Sequence, residues 1–298
     1  MPDIDVMQRP ALTPDEIKRF SARRPWRSTL GILRVYGLLI VIIGGSLWLG
    51  GWWIVPAFFL VAGLQHAISI LQHEAIHGLL FNSHRLNEFV GTYFLSYPIG
   101  FSMEYRAVHY AHHRYLGNVG DPDLHNYEPF PASRAEVLKK IVREYSGVGA
   151  VMQFLGSGKT TSGGRSHMLA ILFTQVMIFG IFFLIGHPWA FFYLWLLPLV
   201  TFAKGFAQFR NLAEHFIRTE APLGTERMRT LDAGFIERFF LSPLYFHCHA
   251  EHHWYTNVPY YHLPELRAVL RERPGYAEFT EWSPSYFSVL KRLVKEGV

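Results

Sequence analysis

The segment Tyr105–Tyr115 reads YRAVHYAHHRY, and it carries His109, His112 and His113 at the spacing i, i+3, i+4. Residues three and four apart lie on the same face of an α-helix, so this spacing predicts three imidazoles on one side of a helix. A lone histidine is usually structural, whereas three at this spacing are typical of a metal-binding helix. The segment therefore predicts one part of a metal site.

Other histidines repeat this spacing elsewhere in the chain. They are the triplet His249, His252 and His253, the pair His73 and His77, and His215, which follows Asn211 at i, i+4. A pair at i, i+4 can bind one metal ion, and a triplet offers more ligands than one ion needs from one helix. The nine histidines therefore predict two adjacent metal ions with four or five nitrogen ligands each. Asn211 is predicted to hold a metal-bound water, with a hydrogen bond at the helix end as the alternative.

The donor set indicates which metal these histidines bind. Imidazole is a ligand for zinc, copper, iron and nickel, but structural zinc needs only four ligands. Nine nitrogens with few carboxylates, beside membrane-type segments, favour a redox centre of two irons that activates O₂. Carboxylates are expected to orient the imidazoles from behind, unless they form ordinary salt bridges. The candidates are Glu74, Glu104, Asp121, Glu214 and Glu251.

The single cysteine, Cys248, lies between two histidines. One cysteine cannot form an internal disulfide, and it argues against a cysteine-based zinc site. A small buried filler is the favoured interpretation of Cys248, and a ligand role is the alternative.

Two long apolar runs indicate an integral membrane protein. No Asp, Glu, Lys or Arg occurs from Val35 to Gln72 or from Ser166 to Ala203. A single helix over the first run would be about 57 Å long, against about 30 Å of hydrocarbon, so each run predicts two spans joined by a turn. Gly50 and Gly51 mark the first turn, and Gly186-His187-Pro188 marks the second.

The predicted fold is all-α, with four transmembrane helices in two hairpins and a cytoplasmic helical cap that holds the metal site. The spans are expected at about 30–49, 55–74, 168–186 and 189–209. Residues 1–29 are predicted to form a cytoplasmic arm, and residues 30–298 a single membrane domain. The cap is expected to comprise 104–166 and 213–298. The apolar segment Leu86–Met103 contains Glu88 and Pro98, and it is interpreted as interfacial or re-entrant.

The basic residues predict the orientation of the spans. A net charge of +5 can indicate nucleic-acid binding, but neither predicted turn contains Lys or Arg, which is the pattern of the positive-inside rule. Both termini and every histidine group are therefore expected on the cytoplasmic side, with membrane lipids and no nucleic acid as partners. The membrane would be the inner membrane in a bacterium or the endoplasmic reticulum in a eukaryote.

Local signals predict helices outside the spans. Capping boxes begin at Thr13 and at Ser133, and the second opens an amphipathic stretch to Tyr145. A further amphipathic stretch is expected at Ser283–Glu296. Gly156–Thr160 resembles a phosphate loop but lacks the required earlier glycine, so a flexible basic linker is favoured.

The set of motifs resembles the membrane fatty acid desaturase superfamily, which includes desaturases, hydroxylases and carotenoid ketolases. The shared features are His-x-x-x-His, two copies of His-x-x-His-His, Gly120-Asp121-Pro122-Asp123, and the segment AEHHWYTNVPYYHLPEL at Ala250–Leu266. The resemblance covers roughly Ala62 to Leu270. It implies a four-span helical fold with two irons, Fe²⁺ or Fe³⁺, and the use of O₂. The implied iron ligands are His73, His77, His109, His112, His113, His215, His249, His252 and His253, with Asn211 acting through water.

The resemblance also implies the partners and the reaction. Electrons are expected from a separate donor, either ferredoxin, rubredoxin, or cytochrome b5 with its reductase, since the sequence has no His-Pro-Gly-Gly haem motif. The leading hypothesis is a desaturase that introduces a double bond into a fatty acyl chain or lipid, with Phe81, Tyr93 and Phe94 as possible lining of its tunnel or simply packing residues. The alternative is a hydroxylase or ketolase of a lipid or carotenoid. A different class, a membrane metal transporter or haem-binding protein, would place its ligands near the bilayer midplane.

Overall fold

The computed structural model describes residues 9–127, 131–160, 164–215 and 228–294. This part of the chain is mostly helical. In its first half, the helices are α1 (Pro14–Phe20), α2 (Pro25–Leu49), α3 (Ile54–Ile76), α4 (His84–Val90), α5 (Tyr105–Tyr115), α6 (Arg134–Tyr145) and α7 (Val148–Thr160). In its second half, they are α8 (Gly164–Leu184), α9 (Lys204–His215), α10 (Phe235–Phe240), α11 (His249–Trp254), α12 (Leu263–Arg271), α13 (Tyr276–Phe279) and α14 (Tyr286–Arg292).

Four helices are long and apolar enough to cross a membrane, as predicted. They lie within Pro14–Leu49, Gly51–Ile76, Gly164–Leu184 and Phe191–His215. The fourth consists of two π-helical segments, Phe191–Leu196 and Leu199–Ala203, that lead into α9. It extends beyond the predicted end at residue 209 and so carries Asn211 and His215 on the same helix.

The first and second of these helices, and the third and fourth, are joined by short links. A single turn of 3₁₀ helix, Gly51–Trp53, connects α2 to α3, and these two helices pack against each other. Many large side chains of the long helices face outward, including Ile40, which is 71% exposed, and Phe173, which is 66% exposed. Apolar side chains that no protein atoms cover are suited to contact with lipid chains.

The all-α prediction missed one short sheet. Strand β1 (Arg229–Leu231) pairs in parallel with β2 (Glu281–Ser283), in the register Thr230 to Trp282. Three-residue strands have too few positions for a period of two to be visible in the sequence. The sheet brings the C-terminal segment beside α9 and α11.

Most local signals are confirmed, and two are corrected. Capping boxes open α1 at Thr13 and α6 at Ser133. The glycine-rich stretch Gly156–Thr160 belongs to α7. It is therefore no phosphate loop, and the prediction of a flexible linker is wrong up to Thr160. The C-terminal helix α14 is shorter than predicted because Ser283 lies in β2, and residues 295 and 296 lie outside the described residues.

The segment predicted to be interfacial or re-entrant forms a broken helix along α3. After α4 it continues as a π-helical segment, Gly91–Ser96, and a 3₁₀ turn, Tyr97–Ile99. Among the described residues it does not meet the length of a membrane span. Its position relative to a bilayer stays a prediction.

Candidate metal centre

The structure brings the nine predicted histidines together in two clusters. In the first, each of His73, His77, His109, His113 and His252 offers a ring nitrogen, and these atoms lie within 4.8 Å of one another. In the second, His112, His215 and His253 meet the same criterion. His249 joins the second cluster, because its Nε2 atom lies 2.9 Å from Nε2 of His215 and of His253. The histidines come from the ends of α3 and α9 and from α5 and α11.

The spacing of the ring nitrogens fits metal coordination. The Nε2 atom of His109 lies 2.9 Å from Nε2 of His77 and also 2.9 Å from Nε2 of His113. Two imidazole nitrogens about 2.0–2.1 Å from one ion and at right angles to each other lie about 2.9 Å apart. Both ring nitrogens of His252 are buried and have no hydrogen-bond partner among the described residues. The first cluster therefore has the donors and the spacing that a metal ion requires.

The surroundings favour the neutral form of these imidazoles. Burial, and then the neighbouring imidazoles, hold the pKa of His109, His113, His252 and His253 well below the usual range. Burial, with the nearby Arg106 guanidinium, lowers the pKa of His77 to about 3. A neutral imidazole has a free lone pair, so these groups are in the state that binds metal.

Asp121 orients His112, as expected of an orienting carboxylate. Its Oδ1 atom lies 2.9 Å from Nδ1 of His112, so Nε2 of that ring remains for a metal. The same carboxylate accepts hydrogen bonds from the Gly117 amide at 2.8 Å and from the Tyr127 hydroxyl. Burial alone would raise the pKa of Asp121, but the contacts with His112, Tyr127 and Gly117 hold it well below its usual value.

Glu214 contacts another imidazole of the second cluster, that of His249. Its Oε2 atom lies 3.3 Å from Nδ1 of His249, and Arg210 donates to the same oxygen at 3.1 Å. The Tyr286 hydroxyl of α14 donates to the other carboxylate oxygen at 2.7 Å. This network links α9, α11 and α14 around one imidazole.

The structure places the other three carboxylate candidates in different contacts. Glu74 accepts a hydrogen bond from the backbone amide of Tyr260 at 3.0 Å. Glu104 lies 3.1 Å from Nε2 of His167. Glu251 accepts from the hydroxyl groups of Thr230 and Tyr276. The contact of Glu104 is an ion-pair contact of the kind given as the alternative, whereas these contacts of Glu74 and Glu251 are hydrogen bonds from uncharged groups.

Cys248 and Asn211 are the remaining two candidate site residues. Cys248 is buried in the main apolar core, and burial raises the pKa of its thiol to about 12, which supports the role of a filler. Asn211 is half-buried, and its Oδ1 atom has no hydrogen-bond partner among the described residues. Its position one turn before His215 is compatible with a metal-bound water, which stays a prediction.

Two further residues contact the clusters and were not predicted. The ring of Phe246 lies 4.8 Å from that of His73, 5.4 Å from that of His252 and 5.2 Å from that of His249. The Arg210 guanidinium lies 4.4 Å from the centre of the Phe246 ring. Arg210 could have been found as a charged residue within a candidate span, a location that is costly and therefore usually functional. Nothing in the sequence singles out Phe246.

Four candidate membrane helices and two buried histidine clusters that could hold metal define a class of membrane metalloproteins. Residues 50–285 match the family model described as fatty acid desaturase. The chain therefore belongs to the fatty acid desaturase family, and it is a membrane oxidoreductase.

The chain is similar to several characterised members. It is 26% identical over 252 residues to a dihydrorhizobitoxine desaturase of Bradyrhizobium elkanii, covering 76% of this chain and 70% of that protein. It is 26% identical over 235 residues to a beta-carotene 4-ketolase of Protosiphon botryoides, covering 76% of this chain and 54% of the ketolase. It is 28% identical over 122 residues to the chloroplastic sn-2 acyl-lipid omega-3 desaturase (ferredoxin) of Arabidopsis thaliana, covering 41% of this chain and 27% of that protein.

Proposed function

We propose that the protein is an O₂-dependent desaturase that binds two iron ions and introduces a double bond into the acyl chain of a lipid. The observation that carries this proposal is the pair of clusters, with five and four imidazoles that are buried or half-buried, in a member of the fatty acid desaturase family. The ligands of one iron are His73, His77, His109, His113 and His252. Those of the other are His112, His215, His249 and His253, with Asn211 holding a water.

Two bound irons would supply the activation of O₂ needed to oxidise an unactivated C–H bond. The protein residues hold the donors in place for this chemistry. Asp121 fixes the ring orientation of His112 through its Nδ1 atom, and Glu214 lies 3.3 Å from Nδ1 of His249. Most of these imidazoles are buried, and His77 and His113 are half-buried, so contact of the donor atoms with bulk water is limited.

A lipid chain has an apolar site beside the fourth candidate span. A cavity of about 700 Å³ lies between α3, α6, α9, α10 and α14, a size within the range of small-molecule sites. Its wall includes Phe202, Phe206 and Phe209, and the last of these is less than two helical turns from His215. Phe81, Tyr93 and Phe94 do not line this cavity. The cavity supports an acyl chain as substrate.

The electron donor and the cellular location belong to the same proposal. The name of the Arabidopsis relative includes ferredoxin, which favours ferredoxin over rubredoxin or cytochrome b5 as the donor. The links of the two hairpins, Gly50–Trp53 and Ile185–Ala190, contain no Lys or Arg, so we place them on the face opposite the cytoplasm. This orientation puts the cap, both termini and the metal site on the cytoplasmic face.

A ketolase or hydroxylase is the second candidate, since the chain is as similar to a beta-carotene 4-ketolase as to a desaturase. Expression of the chain in a host that contains both acyl lipids and carotenoids, followed by mass spectrometry of each fraction, separates the two activities. Loss of two hydrogen atoms from an acyl lipid supports desaturation, and gain of oxygen in either fraction supports the alternative.

Two matched variants and a metal analysis test the site. His112→Ala should abolish the new product while the protein still inserts into the membrane, whereas His125→Ala, at an exposed histidine outside the clusters, should leave it unchanged. Purified wild-type protein should contain about two irons per chain. A purified protein with one haem, or with zinc alone, would exclude the proposed function and favour a transporter or haem protein.

A further inference from the structure

Arg210 is a buried cation beside both histidine clusters. Its side chain is 14% exposed, and Nη1 donates to Oε2 of Glu214 at 3.1 Å. Its Nε atom is buried without a hydrogen-bond partner among the described residues. Its Cζ atom lies over the ring of Phe246, 4.4 Å from the ring centre. Burying a guanidinium is costly unless paired groups and an aromatic face compensate, so this location calls for a functional reason.

Arg210 reaches one imidazole of the second cluster through Glu214. The Glu214 oxygen that accepts from Arg210 is the same atom that lies 3.3 Å from Nδ1 of His249. Arg210 and Glu214 are one turn apart on α9, and His249 lies on α11. The guanidinium therefore holds the carboxylate against the Nδ1 edge of the imidazole, in a polar contact that falls outside hydrogen-bond geometry.

Arg210 reaches the first cluster through Phe246. The Phe246 ring is fully buried, and it contacts His73 and His252 of the first cluster as well as His249 of the second. One aromatic ring thus contacts imidazoles of both clusters. The guanidinium above that ring limits its movement.

The backbone before Phe246 has a strained conformation that places this ring against the histidines. Leu244 has φ 57° and Tyr245 has φ 63°, and neither residue is a glycine. Two consecutive residues of this kind in the left-handed region persist only where the surrounding structure enforces them. The strained turn places Phe246 where its ring contacts both clusters and Arg210.

We propose that Arg210 is a positioning residue for both metal sites. It acts on His249 through Glu214, and it acts on imidazoles of both clusters through Phe246. This inference rests on the proposed function, since it assumes that both clusters bind metal. The buried positive charge has a second consequence. It disfavours the more positive, oxidised state of the metals, and so it makes the bound irons easier to reduce.

Two substitutions separate the geometry of Arg210 from its charge. Arg210→Lys keeps the charge but loses the planar face and the forked donors, and Arg210→Met keeps an apolar stem without charge. Arg271→Lys, at a half-exposed arginine paired with Asp232, is the control. Each purified protein, stripped of metal, is titrated with Co²⁺ by calorimetry and visible absorption. Each iron-loaded protein is then titrated redox-potentiometrically.

Wild-type protein and Arg271→Lys should bind two Co²⁺ per chain. Arg210→Lys and Arg210→Met should bind at least one Co²⁺ about tenfold more weakly, with altered absorption. Only Arg210→Met should show a lower midpoint potential. Wild-type binding and an unchanged potential in Arg210→Met would overturn the inference. Failure of the wild-type protein to bind Co²⁺ would instead overturn the proposed function.

Phe246→Leu provides a second test if Arg210→Met does not fold. This substitution leaves the Arg210–Glu214 contact in place and removes the aromatic ring that contacts both clusters. The expected result is an altered absorption spectrum of bound Co²⁺ and a weakened magnetic interaction between two bound ions, measured by electron paramagnetic resonance. An unchanged spectrum and an unchanged interaction would contradict the proposed role.

Discussion

At the scale of single residues, Asp121 offers the sharpest test of the second cluster. Its carboxylate is buried and accepts hydrogen bonds from His112 and from two backbone amides, those of Gly117 and Asp123. In Asp121→Asn, one oxygen becomes an amide nitrogen, which cannot accept these bonds and carries no charge. We expect a loss of metal affinity of about 10–100-fold at the cluster containing His112, measured by calorimetric titration with Co²⁺.

Asp123→Asn is the matched control for this change. Its carboxylate is 15% exposed and lies 3.9 Å from Nδ1 of His112, beyond hydrogen-bond distance. The loss of affinity in Asp123→Asn should be much smaller. Equal losses in the two variants would show that general negative charge, rather than the orientation of His112, supports the metal site.

The histidines of this site were predictable because their helical spacing is local. The spacing i, i+4 puts two imidazoles on one face whatever the rest of the fold does. The assignment of His112 and His113 to different clusters was not predictable, since it depends on contacts with His215 and His252, which are distant in the chain. The contacts of Phe246 are invisible in the sequence for the same reason.

At the scale of secondary-structure elements, Gly63 sets the approach of α10 to α3. A Cβ atom at Gly63 would lie 2.7 Å from Cε1 of Phe239 and 3.1 Å from Cδ1 of Phe240. The close approach lets the Phe240 carbonyl oxygen lie 2.8 Å from Nδ1 of His66. Gly63→Val should lower the free energy of unfolding by about 1–3 kcal/mol through overpacking, measured by chemical denaturation in detergent.

Gly180→Val on α8 is the control for Gly63→Val. A Cβ atom at Gly180 would have no atom within 4 Å among the described residues, so its substitution creates no clash. Both variants make the same change within a long helix, and intrinsic helix propensity is therefore matched. If both are equally destabilised, the contact with α10 does not limit the packing of α3.

The boundaries of elements were predictable where a cap marks them. Thr13 and Ser133 begin helices by a reciprocal pattern of hydrogen bonds that the sequence displays directly. The end of the fourth candidate span was not predictable, because Arg210 and Glu214 interrupt the apolar run. Their charges are paired within the helix, so α9 continues to His215.

At the scale of the whole molecule, the N-terminal arm packs against the segment that follows the third histidine group. Arg9 donates to the carbonyl of Trp254, and its guanidinium lies 4.7 Å from the centre of the Tyr255 ring. Arg9→Met should therefore lower the free energy of unfolding by about 1–2 kcal/mol, seen as a lower thermal midpoint. Lys18→Met, at an exposed position of the same arm, should change it little. An equal effect of both would indicate a general charge effect.

The basic N-terminal arm also contacts more distant segments of the chain. Arg19 forms an ion pair with Glu265, and the Arg24 amide donates to the Tyr261 hydroxyl at 2.5 Å. These partners are more than two hundred positions away in the chain, so no local pattern could reveal them. Length and charge predicted four spans, but they did not predict which distant segments of the chain pack against each other.

The orientation of the four spans in the membrane can be tested with introduced cysteines. Cys248 is 1% exposed, so it should not react with a membrane-impermeant maleimide, and new cysteines can be read against that background. Trp52, which is 88% exposed, and His187 lie in the two links without Lys or Arg, whereas Val119, which is 98% exposed, lies near the histidine clusters.

In intact cells, or spheroplasts if an outer membrane is present, Trp52→Cys and His187→Cys should be labelled. Val119→Cys should be labelled only after permeabilisation, because the positive-inside rule places the basic cap in the cytoplasm. The opposite pattern would invert the orientation and move the metal site away from cytoplasmic electron donors. Labelling of Trp52→Cys without His187→Cys would mean that the two links lie on opposite faces, which excludes two hairpins that open on the same face. The two histidine clusters contain residues from both α3 and α9. Links on opposite faces would therefore also require α3 or α9 to end on a face other than the proposed cytoplasmic one.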